Sequence, residues 1–327
     1  MELSLNKDFR IAVLIPYFGN QPEWFDYFLL SCSYNKNFIF IIFSDSLPVN
    51  SGFENIRFEQ MQLDEFNKLA TKKLGFTISI KHPFKICDLR PSFGIIFSDY
   101  LKDFNYWGYA DLDLIFGDIA KMLPKITSYD VISNHSDFIP GHFCLVKNTD
   151  FLNNLFKECR NYQEIFQSNN YFGFDERIHW IKIASRPALW RVTKSLRNAY
   201  ILIEPGLYNL YKKLVPSKKT QNQKELTGQH ITKEPLDFTS LVRYYESIGK
   251  LTVHFKTTYV CDMMFRKKAI KNWKIEWNNG QLIFTNENKM FVYFHFMFSK
   301  DSKKFRISPY KSGIKRFCVS SKGINVI

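Results

Sequence analysis

Tyr106-Trp-Gly-Tyr-Ala-Asp111-Leu-Asp113-Leu-Ile-Phe-Gly117-Asp118 is the stretch on which the reading of this chain turns. It is apolar on both flanks and carries acids at Asp111 and Asp113. Acids two apart on an extended chain point to the same side, roughly 7 Å apart along the strand. The pattern predicts a buried strand over 106–114 that delivers two carboxylates to its tip. Uncompensated, those carboxylates repel each other, and desolvation adds to the cost. A divalent cation removes both penalties. Mg²⁺ and Mn²⁺ take oxygen ligands and complete their shells with water or phosphate oxygens. A D-x-D pair at a strand end therefore reads as the seat of a metal-bound diphosphate. A solvated turn or a helix cap is the alternative for an isolated pair, so the surrounding pattern decides.

Upstream, the pattern is one of strands and helices in alternation. Ile11-Ala-Val-Leu-Ile15 is a short apolar run closed by Pro16, and Phe38-Ile-Phe-Ile-Ile-Phe43 is a second, stopped by Ser44-Asp45. Both read as strands buried on two faces. Residues 20–34 and 62–74 carry apolar residues at helical spacing, 76–80 reads as extended, and 93–101 as helix. Strands separated by helices at this spacing indicate parallel βαβ units, whose ligands sit at the carboxyl ends of the strands. Downstream, 130–133 and 142–147 are strand candidates and 150–167 a helix. Residues 215–236 are polar and read as a surface excursion. Lys274 to Phe284 is a hairpin, with Asn279-Gly280 supplying the positive φ angles of its turn.

The composition is globular: 327 residues, 45% hydrophobic, 23% charged. The aromatic share of 17%, with 33 Phe and 17 Tyr, predicts a core built largely of rings. The net charge of +14 favours a phosphate-bearing partner. Half of it lies after residue 299, where Lys300, Lys303, Lys304, Arg306, Lys311, Lys315, Arg316 and Lys322 face only Asp301. The six cysteines show neither C-x-x-C nor zinc-finger spacing, which predicts free thiols in a reducing compartment. The N-terminal apolar run is too short for a signal peptide, and no stretch reaches the length of a membrane span. A cytoplasmic location is expected.

The strings IAVLIPYFGN, IIFSDS, KICDLRPSFG and YWGYADLDLIFGDI resemble bacterial GT-A glycosyltransferases of capsule and lipopolysaccharide clusters. The resemblance covers most of residues 10–180 and returns near 295. It implies a GT-A, Rossmann-like α/β fold with a mostly parallel central sheet. It also implies that the acidic pair holds Mn²⁺ or Mg²⁺ against the diphosphate of a nucleotide sugar. Asp113 would bind the metal directly, and Asp111 would reach the metal through water or the donor's ribose. Asp118 falls outside the motif and reads as a helix N-cap.

Other residues carry two readings each. Pro16, Tyr17, Phe18 and Gly19 follow the first strand, where the family's nucleoside lies; a plain strand-to-helix turn is the alternative. Asp45 could accept a bond from the base. Lys85, Asp88 and Arg90 resemble the family's nucleotide-contact segment, or form a surface ion cluster. Gly141 and His142 sit where the family carries a turn against the donor sugar. His295, in the apolar run Met290 to Phe298, is either a core histidine or the third protein ligand that many GT-A enzymes bring to the metal. Lys300, five residues on, would neutralise the leaving diphosphate. By analogy with inverting members, Asp175 or Glu176 is the general base, and acids at a helix N-terminus are the alternative. His254 reads as core, and His82 and His230 as loop residues.

The expected organisation is a glycosyltransferase domain over 1–299, with a nucleotide-binding half near 8–125 and an acceptor half near 126–299, followed by a basic C-terminal tail over 300–327. The expected reaction moves a sugar from a nucleotide sugar, a UDP-sugar in the first instance, to a hydroxyl of a surface glycan or lipid-linked glycan. The tail interleaves Lys and Arg with Phe305, Ile307, Tyr310, Ile314 and Phe317, which suits an anionic membrane surface as well as a solvated face. No recognition helix, RNP aromatic motif or zinc module points to nucleic acid. The competing readings are a sugar nucleotidyltransferase, for which the Gly-rich basic loop is lacking in Gly19-Asn-Gln-Pro-Glu-Trp24, and a non-enzymatic nucleic-acid-binding protein.

Overall fold

The structure is a computed structural model that describes residues 9–46, 52–123, 125–176, 237–267, 270 and 272–327. The expected polar excursion at 215–236 lies outside the described residues. The described residues belong to one unit, Met1–Arg177 with Glu234–Ile327.

Among the described residues, sixteen strands form three sheets. In chain order they are β1 Ile11–Pro16, β2 Phe38–Ser44, β3 Ile56–Gln60, β4 Tyr106–Ala110, β5 Leu114–Phe116, β6 Val131–Ile132, β7 Phe143–Lys147, β8 Val253–His254, β9 Val260–Cys261, β10 Lys274–Asn278, β11 Gln281–Phe284, β12 Lys289–Met290, β13 Tyr293–His295, β14 Arg306–Ile307, β15 Arg316–Ser320 and β16 Gly323–Val326. The largest sheet has seven strands in the order β3-β2-β1-β4-β7-β6-β8. β1 lies inside it, with Ile11 opposite Phe38 on one side and Tyr106 on the other. That position explains its unbroken apolar run, because both faces and both edges are covered.

The sheet is only partly parallel. β3, β2, β1 and β4 run parallel, but β7 pairs antiparallel with both β4 and β6. The reason lies in the stretch 106–116. The strand expected over 106–114 ends at Ala110, and the chain turns through Asp111 to Asp113 before β5 begins. β5 leaves the large sheet and joins a three-stranded one, β5-β13-β9. The place beside β4 is taken by β7, returning from the opposite end.

Residues 76–80 form no ladder. Their backbone groups are held by helix α2 (Leu63–Leu74) instead: Ile78 N–H donates to Thr71 Oγ1 at 2.9 Å, and Ile80 N–H to Asn67 Oδ1 at 3.0 Å. The helix expected over 150–167 breaks at Asn161, whose φ is 60°.

The third sheet has six strands, β12-β11-β10-β15-β16-β14. Asn279 and Gly280, both at positive φ, close the expected hairpin β10–β11. The C-terminal basic residues 306–326 supply three strands of this same sheet, so the segment is structural as well as charged. Its apolar positions carry the packing: Phe317 stacks 5.0 Å from Trp277 and meets Tyr27 at 4.9 Å. Helix α1 (Phe25–Ser33) lies between two cores, which accounts for the burial of every residue in it except Asp26. Phe25, Phe28, Leu29 and Cys32 face the large-sheet core, while Tyr27 and Leu30 enter the core of the six-stranded sheet. None of the six cysteines is joined in a disulfide. Among the described residues no helix is long and apolar enough to cross a membrane.

Candidate active site

The carboxyl ends of β1, β2 and β4 share one edge of the large sheet, where the chain leaves β4 through Asp111 and Asp113. The Asp111 N–H donates to His142 O at 3.0 Å, which ties the turn to the residue preceding β7. The register of β13 against β5 sets His295 opposite Leu114. Phe296 N–H then donates to Asp113 O at 3.2 Å. His295 is thus fixed to the acidic turn by strand pairing, across 182 residues of sequence.

Three side chains converge there. His295 Nε2 lies 3.2 Å from Asp113 Oδ2, and Lys300 Nζ donates to the same oxygen at 2.6 Å. Ligand atoms of Asp111, Asp113 and His295 lie within 4.8 Å of one another. Opposite ligands of one ion stand about 4–5 Å apart at ordinary Mg²⁺ or Ca²⁺ bond lengths. Two carboxylates and one imidazole fit a divalent cation, and the imidazole suits Mn²⁺.

The charges around this cluster fall in two groups. Burial opposes the Asp113 carboxylate, but His295 and Lys300 outweigh it and hold the group below its usual range. Burial opposes a charged His295 ring and a charged Lys300, and in both cases Asp113 outweighs it and raises the pKa. The second group centres on Arg90, whose guanidinium pairs with Asp111 through one nitrogen and with Asp175 Oδ2 at 3.0 Å through the other. Burial pushes Asp175 up, against the pull of Arg90.

The glycine before His142 makes room for this second group. A Cβ on Gly141 would stand 2.5 Å from Asp175 Oδ2 and 2.6 Å from Arg90 Nη1. The Gly141 N–H donates to Glu176 Oε1 at 2.8 Å. Asp175 is sealed from solvent, whereas Glu176 is partly exposed. His142 bonds through Nδ1 to Tyr293 Oη at 2.9 Å, and its ring lies 4.5 Å from that of His295. Burial and the adjacent His295 hold His142 well below the usual imidazole range.

The other expected residues fall in two places. Tyr17 is half-buried after β1, within electrostatic reach of Lys300 and Asp45. Phe18 turns inward against Phe66, so of these two rings Tyr17 is the one left at the surface with Pro16. Asp45 Oδ1 accepts the Gly19 N–H at 2.9 Å and so fixes the loop after β1. Lys85 and Asp88 are buried and closed on each other at 2.7 Å. Asp88 also accepts the N–H groups of Phe172 and Phe174, and Lys85 donates to Ile165 O. Of the three charged residues in Lys85-Ile-Cys-Asp-Leu-Arg90, Arg90 alone pairs with the acidic turn; Lys85 and Asp88 anchor the chain that carries Asp175. Asp118 caps the short helix that follows it, accepting the Lys121 N–H at 3.0 Å.

Three residues of the site escape sequence reasoning. Trp24 donates from Nε1 to Leu112 O at 2.9 Å and lies under Lys300. Tyr293 holds His142, and Tyr171 donates to Asp175 Oδ1 at 3.4 Å. In a chain this rich in rings, aromatic residues give no local signal of such roles.

Among solved structures, a crystal structure of the galactosyltransferase LgtC in complex with donor and acceptor sugar analogues is similar at 11% identity, over 50% of this chain and 70% of that one, with a TM-score of 0.29. The glycosyltransferase GlyE of Streptococcus pneumoniae TIGR4 is similar at 9% identity, over 78% of this chain and 68% of that one, with a TM-score of 0.27. No curated protein matches the sequence. A family model described as a family of unknown function, DUF6625, matches residues 13–326, nearly the whole chain, and the protein belongs to that family.

Proposed function

We propose that this protein is a metal-dependent glycosyltransferase of GT-A type, moving a hexose from a nucleotide sugar to a hydroxyl of a bacterial surface polysaccharide or lipopolysaccharide acceptor. The observation that carries the reading is the convergence of Asp111, Asp113 and His295 within 4.8 Å at the carboxyl edge of a partly parallel sheet. The sequence resemblance of the strings around residues 11–20 and 106–118 supports it.

In this reading Asp111, Asp113 and His295 hold Mn²⁺ or Mg²⁺, which as a bound Lewis acid supplies charge stabilisation to the departing diphosphate. The chain's own groups do the rest. Lys300 moves its ammonium from Asp113 to a diphosphate oxygen. Tyr17 and Pro16 receive the nucleoside, uridine in the first instance, at the end of β1. Arg90 holds Asp111 in place and is held in turn by Asp175. Glu176, the partly exposed member of the acidic pair, accepts the proton of the acceptor hydroxyl. His142, kept neutral by burial, faces the donor sugar.

Calorimetric titration of the purified protein with UDP, GDP, CMP and TDP, each with and without Mn²⁺, tests the reading. Metal-dependent binding of one nucleotide is expected, followed by slow hydrolysis of the matching nucleotide sugars. Binding of none of them would remove the proposal.

A further inference from the structure

Asp262 follows β9 directly and is 1% exposed. Its chain neighbour Cys261 is the strand partner of His295, so the carboxylate sits next to the register position of the imidazole. One oxygen, Oδ2, accepts two backbone N–H groups, from Phe298 at 3.0 Å and Ser299 at 2.6 Å. Those two amides form the turn between His295 and Lys300. The other oxygen, Oδ1, is buried without a hydrogen-bond partner. The same is true of His295 Nδ1, while its Nε2 is turned to Asp113. Asp262 and His295 also interact electrostatically.

A buried acceptor directly after one strand and a buried ring nitrogen on the strand paired with it, both unpartnered, are costly unless they serve each other. An imidazole can give only one nitrogen to a cation, and the proton must then be on the other. Histidines that bind metals almost always donate that second N–H to a carboxylate, a carbonyl or a water.

We propose that Asp262 is the positioning residue of the centre, its Oδ2 fixing the turn that delivers Lys300 and its Oδ1 accepting the Nδ1–H of His295, directly or across one water, so that Nε2 stays free for a cation. This rests on the reading of Asp111, Asp113 and His295 as metal ligands.

Asp262→Asn separates the two tasks. The amide oxygen still accepts the Phe298 and Ser299 N–H groups, so the turn and the melting temperature should hold. The amide NH₂ replaces Oδ1 and is a donor, which favours a proton on His295 Nε2 instead of Nδ1. Mn²⁺ affinity, measured by calorimetry without nucleotide, should fall 10–100-fold. Long-range ¹H–¹⁵N spectra of the metal-free variant should show His295 without its Nδ1 proton, while Nε2 keeps the one it shares with Asp113. A role in the turn alone moves neither readout. Wild-type Mn²⁺ affinity in the folded variant would overturn the assignment, and so would a wild-type protein whose Mg²⁺ complex shows Nδ1 without a proton. That second measurement stands even if the variant does not fold. Failure of the wild-type protein to bind Mn²⁺ would instead remove the metal site itself.

Discussion

Lys300 and Asp113, 187 residues apart in sequence, meet at 2.6 Å, on the same carboxylate oxygen that faces His295. The ammonium therefore occupies one of the positions a cation would use, and it stabilises the acid when no cation is there. This makes the two residues separable by experiment.

Asp113→Asn should leave the fold intact, since Lys300 is partly exposed and can turn to water, and His295 can lose its proton. Metal-dependent nucleotide binding should be lost, and sugar transfer should fall at least about a hundredfold. Lys300→Met should behave differently. Without the competing ammonium, Mn²⁺ alone should bind as tightly as in the wild type or more so, while UDP binds more weakly and uridine is unaffected. Calorimetry with Mn²⁺, UDP and uridine distinguishes these. Equal weakening of UDP and uridine would show that Lys300 serves packing on Trp24 and not the diphosphate.

The two facing histidines should titrate in opposite directions in the metal-free protein. His295 is raised: burial opposes its charge and Asp113 outweighs burial. His142 is lowered, by burial first and then by His295. A raised histidine binds its proton more tightly folded than unfolded. The stability it gives is complete below about pH 6.5 and is lost as pH rises through the folded value. For a lowered histidine, stability is present above about pH 6.5 and declines below it, as the unfolded chain takes up a proton the fold refuses. Asp113→Asn should therefore drop the His295 titration and flatten the loss of stability above pH 6.5, leaving His142 low. Ring ¹⁵N shifts and urea midpoints at stepped pH measure both. A His295 titration unmoved by the substitution would contradict the pairing.

The parts of this structure legible in sequence are those whose environment is uniform. β1 and β2 are covered on every side, so their composition is apolar throughout. The hairpin at Asn279-Gly280 is written in backbone preference. β3, Ile56-Arg-Phe-Glu-Gln60, lies at the sheet edge and carries the mixed residues that edges allow, so no pattern marks it. The turn at Asp111 is hidden because β4 and β5 are both apolar and run on in sequence as one strand. Lys85 and Asp88 look like ligand contacts because charge is visible in sequence and burial is not. Arg90, two residues on, has the same chemistry and a different neighbourhood. Sequence marks the late histidine through family resemblance alone, and only the pairing of β13 with β5 brings it to Asp113.

The basic C-terminal segment offers a test of membrane docking that its structure sharpens. Arg316 is paired with Glu276 at 2.7 Å, so reversing its charge would break a contact within the sheet. Lys311, Lys315 and Lys322 are exposed. Replacing these three with Glu should weaken binding to phosphatidylserine vesicles by at least about 1 kcal/mol per residue, with no change on neutral vesicles. Hydrolysis of a nucleotide sugar in solution should stay near the wild-type rate. Unchanged binding to anionic vesicles at moderate salt would leave the solvated-face reading of these lysines.

The acids at 175 and 176 differ in surroundings enough to give them different work. Glu176 is partly exposed, and one of its oxygens accepts the Gly141 N–H at 2.8 Å, which orients the carboxylate. Asp175 is sealed and spends Oδ2 on Arg90, which holds Asp111. Glu176→Gln keeps the shape and the bond to Gly141 but removes the base. It should lower kcat by about 10²–10⁴-fold with little change in KM for the donor. Asp175→Asn should instead loosen Arg90 and Asp111 and appear first as weaker donor and metal binding. Gly141→Ala carries no chemistry, yet its Cβ would stand 2.5 Å from Asp175 and 3.0 Å from Glu176 Oε1, so it should impair both properties together. Steady-state kinetics with a nucleotide sugar and a soluble acceptor, beside Mn²⁺ titrations, read out all three. An Asp175→Asn protein with intact metal binding and abolished turnover, beside an active Glu176→Gln, would exchange the two roles.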